Sequence, residues 1–481
     1  MAVSGCVQVS LAAPSAAPVG GVYALPSPGT LSPSTQPSPS PTDLEEPSVT
    51  MSAAPSQVPA SIATPDPTPG PAPTPPPDPT PTPIPTLDPT PTPTPDPTPA
   101  ATPVPTAEAT SAPVPAASAS PSAAVPILPA AGTFTRSGGF DARLARELKR
   151  IVNQVRRNTP VPGLSVAVRM PSGATWTGVS GSAELTPRRA VTGQTVFAVA
   201  SITKTFVAAL VLQLAEEGRL DLDDTLDRFI PDAPKASNVT LRQLLSHRSG
   251  IYNYFESPRY NRQVFTDTER RWTYEDIMAL VRRGYCKAGE CFHYSNTNYV
   301  LLGRVAEVVT ERPLHKVLRA RFFEPLGMKR TFYQPDDATP ADAAHGHWRS
   351  ATGFIDHTGG AEVIPFMSAA SVAGPAGAIA STPEDLVRWA AALYGGEVLS
   401  PASLAEMMEF QPPLGYGLGT RIAIFDGHRA VGHGGSLRGF ESVMWYFPGS
   451  RVAIAVTSNR GLWLLDPPMR RLVKAVLGAG L

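Results

Sequence analysis

The chain has three cysteines in 481 residues, 7% aromatic residues and no apolar run approaching 18 residues. The last absence excludes a transmembrane helix. Residues 1–132 contain no Lys or Arg, only eight acidic residues, and 36 of the 56 prolines, in tracts such as Pro89-Thr90-Pro91-Thr92-Pro93-Thr94-Pro95-Asp96-Pro97. Such a segment cannot bury enough apolar surface to offset the entropy of ordering it, which excludes a folded domain there. It reads as a disordered linker, extended as polyproline II where proline is densest. At about 3.1 Å per residue, the roughly forty residues from Pro65 to Pro105 reach on the order of 120 Å.

The remaining residues, 133–481, carry all 40 Lys and Arg and 32 of the 40 acidic residues, a net +8 in a molecule that sums to zero. The excess is spread over helical segments rather than gathered in a run, so it reads as a solvated surface with some affinity for anionic polymers. No reading-head motif with interleaved aromatics accompanies it, so no nucleic-acid partner is expected. His345-Gly346-His347 lacks the nearby Cys or Glu pattern of a metal site and reads as loop polar groups. Neither a metal nor another cofactor is expected.

Periodicity gives one folded domain of mixed α/β (α+β) class. Asp141–Arg157 reads as an amphipathic helix, followed by strands near Leu164–Val168, Thr175–Ser180 and Val196–Ala198. From Leu220 to about Ala343 the pattern is helices and long loops, with helices at Thr240–Leu245, Thr273–Arg283 and Asn298–Glu311. After the Gly-rich Gly374–Gly377 comes a helix capped by Ser381 or Thr382. Strands return at Thr420–Phe425, Arg429–Gly432, Ser442–Tyr446 and Val452–Ser458, before a last helix over Pro468–Leu477. Strands at both ends with helices between imply one antiparallel sheet built from both ends, flanked by helices, with a helical lobe inserted and a site in the cleft between them.

Chemistry begins at Ser201-Ile202-Thr203-Lys204, at the start of the apolar helical run Phe206–Leu212. One turn separates i from i+3, so the Ser201 hydroxyl and Lys204 amine share a face and can meet as nucleophile and base, provided burial or charge lowers the lysine pKa. Alone, this spacing fits equally an ordinary helix start with Ser as cap and Lys in solvent. Two further motifs follow in order: Tyr294-Ser295-Asn296, and Gly432-His433-Gly434-Gly435-Ser436 between two strand-like segments.

S-x-x-K, Y-x-N and H-G-G in this order resemble the serine beta-lactamase and penicillin-binding superfamily. The resemblance runs from about Phe140 to the C-terminus. It is strongest to the branch with class C beta-lactamases, serine D-Ala-D-Ala carboxypeptidases and related esterases. Leu244-Leu245-Ser246-His247-Arg248-Ser249-Gly250-Ile251, Pro325-Leu326-Gly327-Met328, Ala380–Leu386 and Tyr416-Gly417-Leu418-Gly419 support it. It implies the beta-lactamase/transpeptidase fold and an acyl-enzyme formed through Ser201. Lys204 and Tyr294 would share the proton transfers, Tyr294 acting as a phenolate in the field of Lys204 and His433. Backbone N–H groups of Ser201 and Ser436 would hold the oxyanion, and Asn296 would bind the substrate amide and steady Lys204. Gly434 and Gly435 would let substrate lie against their strand.

His433 stands where class C beta-lactamases carry lysine. This favours a D-Ala-D-Ala carboxypeptidase on cell-wall peptides, or an esterase or amidase on small acyl substrates, over a beta-lactamase. A non-catalytic penicillin-binding module is the remaining reading, which three intact motifs oppose. Arg438 is placed either to meet a substrate carboxylate or as a cleft-rim arginine, and His247 reads as bonding local backbone at a turn. Cys286 and Cys291, just before the Tyr294 motif, fit a small disulfide loop in an oxidising compartment, with two free thiols as the alternative. Val3-Ser4-Gly5-Cys6 resembles a lipobox, although only five residues precede Cys6: either translation starts upstream or the match is chance, and the Pro/Thr tether after the cysteine favours the first. The proline tether and Cys6 together suggest a monomer held in the cell envelope by a lipid on Cys6, with the membrane reached only through that anchor.

Overall fold

The computed structural model describes residues 133–358, 363–412, 415–462 and 465–478. The linker 1–132 and Cys6 lie outside the described residues. Asp141 caps the first helix, α1 (Ala142–Asn158), its carboxylate accepting from the Leu144 N–H. Leu148, Ile151, Val152 and Val155 form the buried stripe that the helical period demands.

That stripe covers one face of an antiparallel sheet. Its strands are β1 (Thr133–Ser137), β2 (Gly163–Arg169), β3 (Thr175–Leu185), β4 (Arg421–Phe425), β5 (His428–Leu437), β6 (Phe440–Phe447) and β7 (Val452–Ser458). They lie in the order β1-β3-β2-β7-β6-β5-β4, and Arg188–Ala190 pairs additionally with β3. The join is β2 against β7, with Leu164 opposite Ser458 and Arg169 opposite Ala453. The sheet is thus built from both ends of the domain, as expected from the sequence.

Both faces are covered, which is why Val452-Ala453-Ile454-Ala455-Val456 is apolar throughout. Val452, Ile454 and Val456 enter the core shared with α1. Ala453 and Ala455 enter the opposite core, where their small side chains allow the helix Pro383–Tyr394 to pack close. Thr382 caps that helix, accepting from the Asp385 N–H.

The inserted lobe surrounds α2 (Thr203–Glu216), whose Thr203–Leu212 are buried without interruption. A helix apolar all round belongs in a core, and Trp389 holds this one from outside. Its indole stacks on Phe206 at 4.0 Å between centroids and donates to Thr205 Oγ1 at 2.9 Å. The helix α3 (Asn296–Thr310) packs against α2. The helix expected over Thr273–Arg283 stops at Met278, because Leu280 and Val281 turn back to Ile277 and Met278 through i→i+3 bonds.

The strand read over Arg429–Gly432 runs on through the third motif as β5, so the motif lies within a strand, as the resemblance implied. Glycine weakens strand propensity, which hides this continuation from a propensity reading. Here glycine is required, since a Cβ on Gly435 would lie 2.1 Å from the Val199 oxygen and 2.9 Å from the Ser201 nitrogen.

Candidate active site

Ser201 precedes α2 proper. It sits in the 3-10 turn Ala200–Ile202, entered through Ala200 at φ 49°, a left-handed value that is strained for a residue with a Cβ. The turn raises Ser201 to partial exposure while Lys204, one turn on, is fully buried. Lys204 Nζ lies 3.1 Å from Ser201 Oγ, 2.8 Å from Asn296 Oδ1 and 2.7 Å from the Ala376 carbonyl oxygen. Desolvation drives its pKa well below the usual lysine range. Counting protons shows what this prepares. A neutral amine has two N–H bonds, which satisfy Asn296 and Ala376, and one lone pair, which faces the Ser201 hydroxyl.

Asn296 is held in turn by Asn253, whose Oδ1 accepts from the Asn296 backbone N–H at 3.1 Å and from its Nδ2 at 3.3 Å. One of the two Asn296 amide protons is therefore used internally. Tyr294 lies across the site, with Lys204 Nζ 5.0 Å from its ring centroid. Burial raises its pKa to about 12, while a hydrogen bond with Ser201 and the charge of Arg421 oppose that rise. At neutral pH Tyr294 is a phenol. Burial thus opposes the phenolate expected from the sequence, while it shifts Lys204 towards the uncharged amine.

His433 also departs from expectation. It is 1% exposed, its Nε2 3.1 Å from the Tyr416 hydroxyl and its Nδ1 bonded to the Gly434 carbonyl, so neither ring nitrogen is open to substrate. Burial, then Arg421 and Lys204, push its pKa well below the ordinary histidine value. It supplies no positive field. The cation that does act here is Arg421, on β4 opposite Gly432, whose charge bears on Tyr294, Tyr416, His247 and His433. Among the described residues no carboxylate pairs with it. Sequence reading missed Arg421, Asn253 and Ala376: the first stands alone among 40 basic residues, and the last acts through a backbone atom.

Gly434 and Gly435 line the strand beside Ser201, and Ser436 follows, exposed, with Oγ donating to Glu441 at 2.7 Å. His247 is buried at φ 57°, bonded to Tyr416 and the Ser295 N–H rather than only to its own turn. Arg438 lies over the Phe265 ring at 3.6 Å, beside a cavity of about 170 Å³, with Nε 3.4 Å from His357 Nδ1. Cys286 and Cys291 are disulfide-bonded with Cα atoms 6.3 Å apart, closing the loop that leads to Tyr294. His345 pairs with Asp356 at 2.7 Å, and among the described residues no group of three or more His, Cys, Asp or Glu is gathered for a metal.

The family model described as Beta-lactamase matches residues 148–478. Penicillin-binding protein 4 of Amycolatopsis lactamdurans is 32% identical over 298 residues, covering 57% of this chain and 74% of that protein. A D-aminopeptidase of Cereibacter sphaeroides is 27% identical over 321 residues, covering 66% of this chain and 59% of the relative. The solved D-amino acid amidase from Ochrobactrum anthropi SV3, complexed with L-phenylalanine amide, matches with TM-score 0.62 at 28% identity, covering 70% of this chain and 99% of that one. With S-x-x-K, Y-x-N and H-G-G gathered around Ser201 and a family model matching well over half its length, the chain belongs to the Beta-lactamase family and is a serine hydrolase.

Proposed function

We propose that this hydrolase cleaves a peptide with a free carboxylate next to the scissile amide, in the manner of a D-Ala-D-Ala carboxypeptidase on cell-wall peptides. The observation that carries the proposal is Arg421, on β4 opposite Gly432 of the third motif, a guanidinium whose charge bears on Tyr294 and which has no carboxylate partner among the described residues. Ser201 attacks the carbonyl carbon as neutral Lys204 takes its proton, and the N–H groups of Ser201 and Ser436 hold the oxyanion. Tyr294 gives its proton to the leaving nitrogen and is left as a phenolate while Lys204 holds the serine proton. Water then takes the leaving group's place, gives its proton to Tyr294 as it attacks the acyl carbon, and Lys204 returns its proton to the departing Ser201 oxygen, which frees the acid and restores the starting state.

The named relatives include a penicillin-binding protein, D-aminopeptidases and a D-amino acid amidase, which supports amide chemistry at D-residues. Similarity to the amidase also favours a second reading, hydrolysis of small D-amino acid amides. The two readings divide on the carboxylate. An acyl-D-Ala-D-Ala peptide should be hydrolysed with higher kcat/KM than the same peptide capped as its C-terminal amide. Arg421→Gln should raise KM for the free acid roughly tenfold, the scale of one charge-assisted contact, and raise KM for the capped peptide far less. Equal rates on acid and amide, indifferent to Arg421, would establish the amidase reading instead.

We propose further that residues 1–132 are a spacer and that the enzyme works in the cell envelope, with Cys6 as its point of lipidation. Proline density and the lipobox-like Val3–Cys6 support this. A chain beginning at Gly132 should retain the full-length kcat/KM and melting temperature. A large fall in either would mean that the segment contributes to the folded domain.

A further inference from the structure

The hydrogen bonds around His247 allow only one placement of protons. The backbone N–H of Ser295 points at His247 Nδ1 from 3.2 Å, and Asn298 Nδ2 faces the same atom at 3.4 Å. The Asn298 amide cannot be flipped, because its Oδ1 takes the Ser249 hydroxyl proton at 2.7 Å while its Nδ2 donates to the Leu244 carbonyl. A nitrogen facing two donors carries a lone pair, so the proton of the neutral ring is on Nε2. That Nε2–H points at the Tyr416 oxygen, 3.2 Å away. His433 Nδ1 faces the Gly434 carbonyl, an acceptor, and so carries that ring's proton; its Nε2 then presents a lone pair to the Tyr416 hydroxyl at 3.1 Å, a stronger acceptor for the Tyr416 proton than the Tyr299 oxygen that also bonds Tyr416.

We infer that His247 and Tyr416 are positioning residues: with His433 they form a one-way hydrogen-bond chain that fixes the Gly434–Gly435 peptide plane relative to the Tyr294 segment. One end is the backbone of Ser295, the residue between Tyr294 and Asn296. The other is the carbonyl of Gly434, whose peptide plane also carries the Gly435 N–H, and Gly435 is the residue pressed against Ser201. All three side chains are at most 3% exposed, so water cannot substitute for a lost link. The groups facing the two imidazoles are Lys204, Arg421, His293 and the rings of Tyr294, Tyr299 and Phe292, with no carboxylate among them. Protonating His247 would set a new N–H against the Ser295 and Asn298 donors. Protonating His433 would displace the Tyr416 proton. The position that carries lysine in class C beta-lactamases is therefore used here as an uncharged acceptor. The left-handed φ of 57° at His247 is the backbone strain required to aim the ring.

This holds whichever acyl substrate is cleaved, so its test does not depend on substrate choice. In full-length protein with 15N-labelled histidine, the His247 ring should appear as the neutral Nε2–H form and His433 as the neutral Nδ1–H form, both unchanged down to pH 6. Tyr416→Phe removes one oxygen, and should shift His433 to mixed tautomers with a new protonation step. It should also lower kcat/KM about tenfold, mainly through kcat. A His433 that is Nε2–H or doubly protonated in the wild type at pH 6 would overturn the inference, even if the variant failed to fold. So would a folded Tyr416→Phe with both the His433 tautomer and kcat/KM unchanged.

Discussion

Replacing Ser201 with alanine is expected to reduce turnover of every acyl substrate by at least about 10⁴-fold, the scale on which a serine hydrolase loses its nucleophile. The fold should survive, because the Ser201 hydroxyl is partly exposed and serves chiefly as a partner for Lys204 and Tyr294. Labelling with a fluorescent penicillin should vanish while the melting temperature stays within a few degrees of wild type. Labelling that persists in a folded alanine variant would assign the nucleophile to another residue.

Lys204→Ala is expected to slow acylation roughly 100-fold or more, and its effect on the pH profile is more telling than its size. The active form is the neutral amine, so kcat/KM should climb with pH on the acid side and level off once Lys204 has lost its proton. Burial lowers that pKa, so the plateau should be reached below the ordinary lysine range. No alkaline fall from Tyr294 is expected until close to pH 12. In the alanine variant the acid limb assigned to Lys204 should disappear, and an unchanged limb with near-normal rates would exclude Lys204 as the base. The same burial has a stability consequence with a definite sign. The unfolded lysine holds its proton more tightly than the folded one, so folding stability should rise as pH increases from the lowered pKa towards 10.5.

The parts of this site that were legible in the sequence share one physical property: they are local. Ser201 and Lys204 are one helical turn apart, and Tyr294 and Asn296 flank a helix start, so spacing alone places each pair. The sheet built from both ends was legible because alternation and apolar runs mark strands whatever their partners are. What could not be read depends on contacts across the chain. His247, Tyr416 and His433 are bonded over separations of 169 and 17 residues, and Arg421 matters only because β4 pairs beside the third motif. The protonation state of Tyr294 was not legible for a related reason, since it is set by burial, which the residue type does not reveal. The run of β5 beyond Gly432 was not legible from periodicity, because its glycines are chosen for the close approach of Ser201 and not for strand propensity.

The most direct test is to trap the acyl-enzyme on the wild-type protein. After a brief incubation with a penicillin and acid quenching, intact mass spectrometry should show one added acyl group per chain, and peptide mapping should locate it on Ser201. An adduct on any other residue, or none under conditions where the enzyme turns over an acyl-D-Ala-D-Ala peptide, would contradict a serine acyl-enzyme at this site.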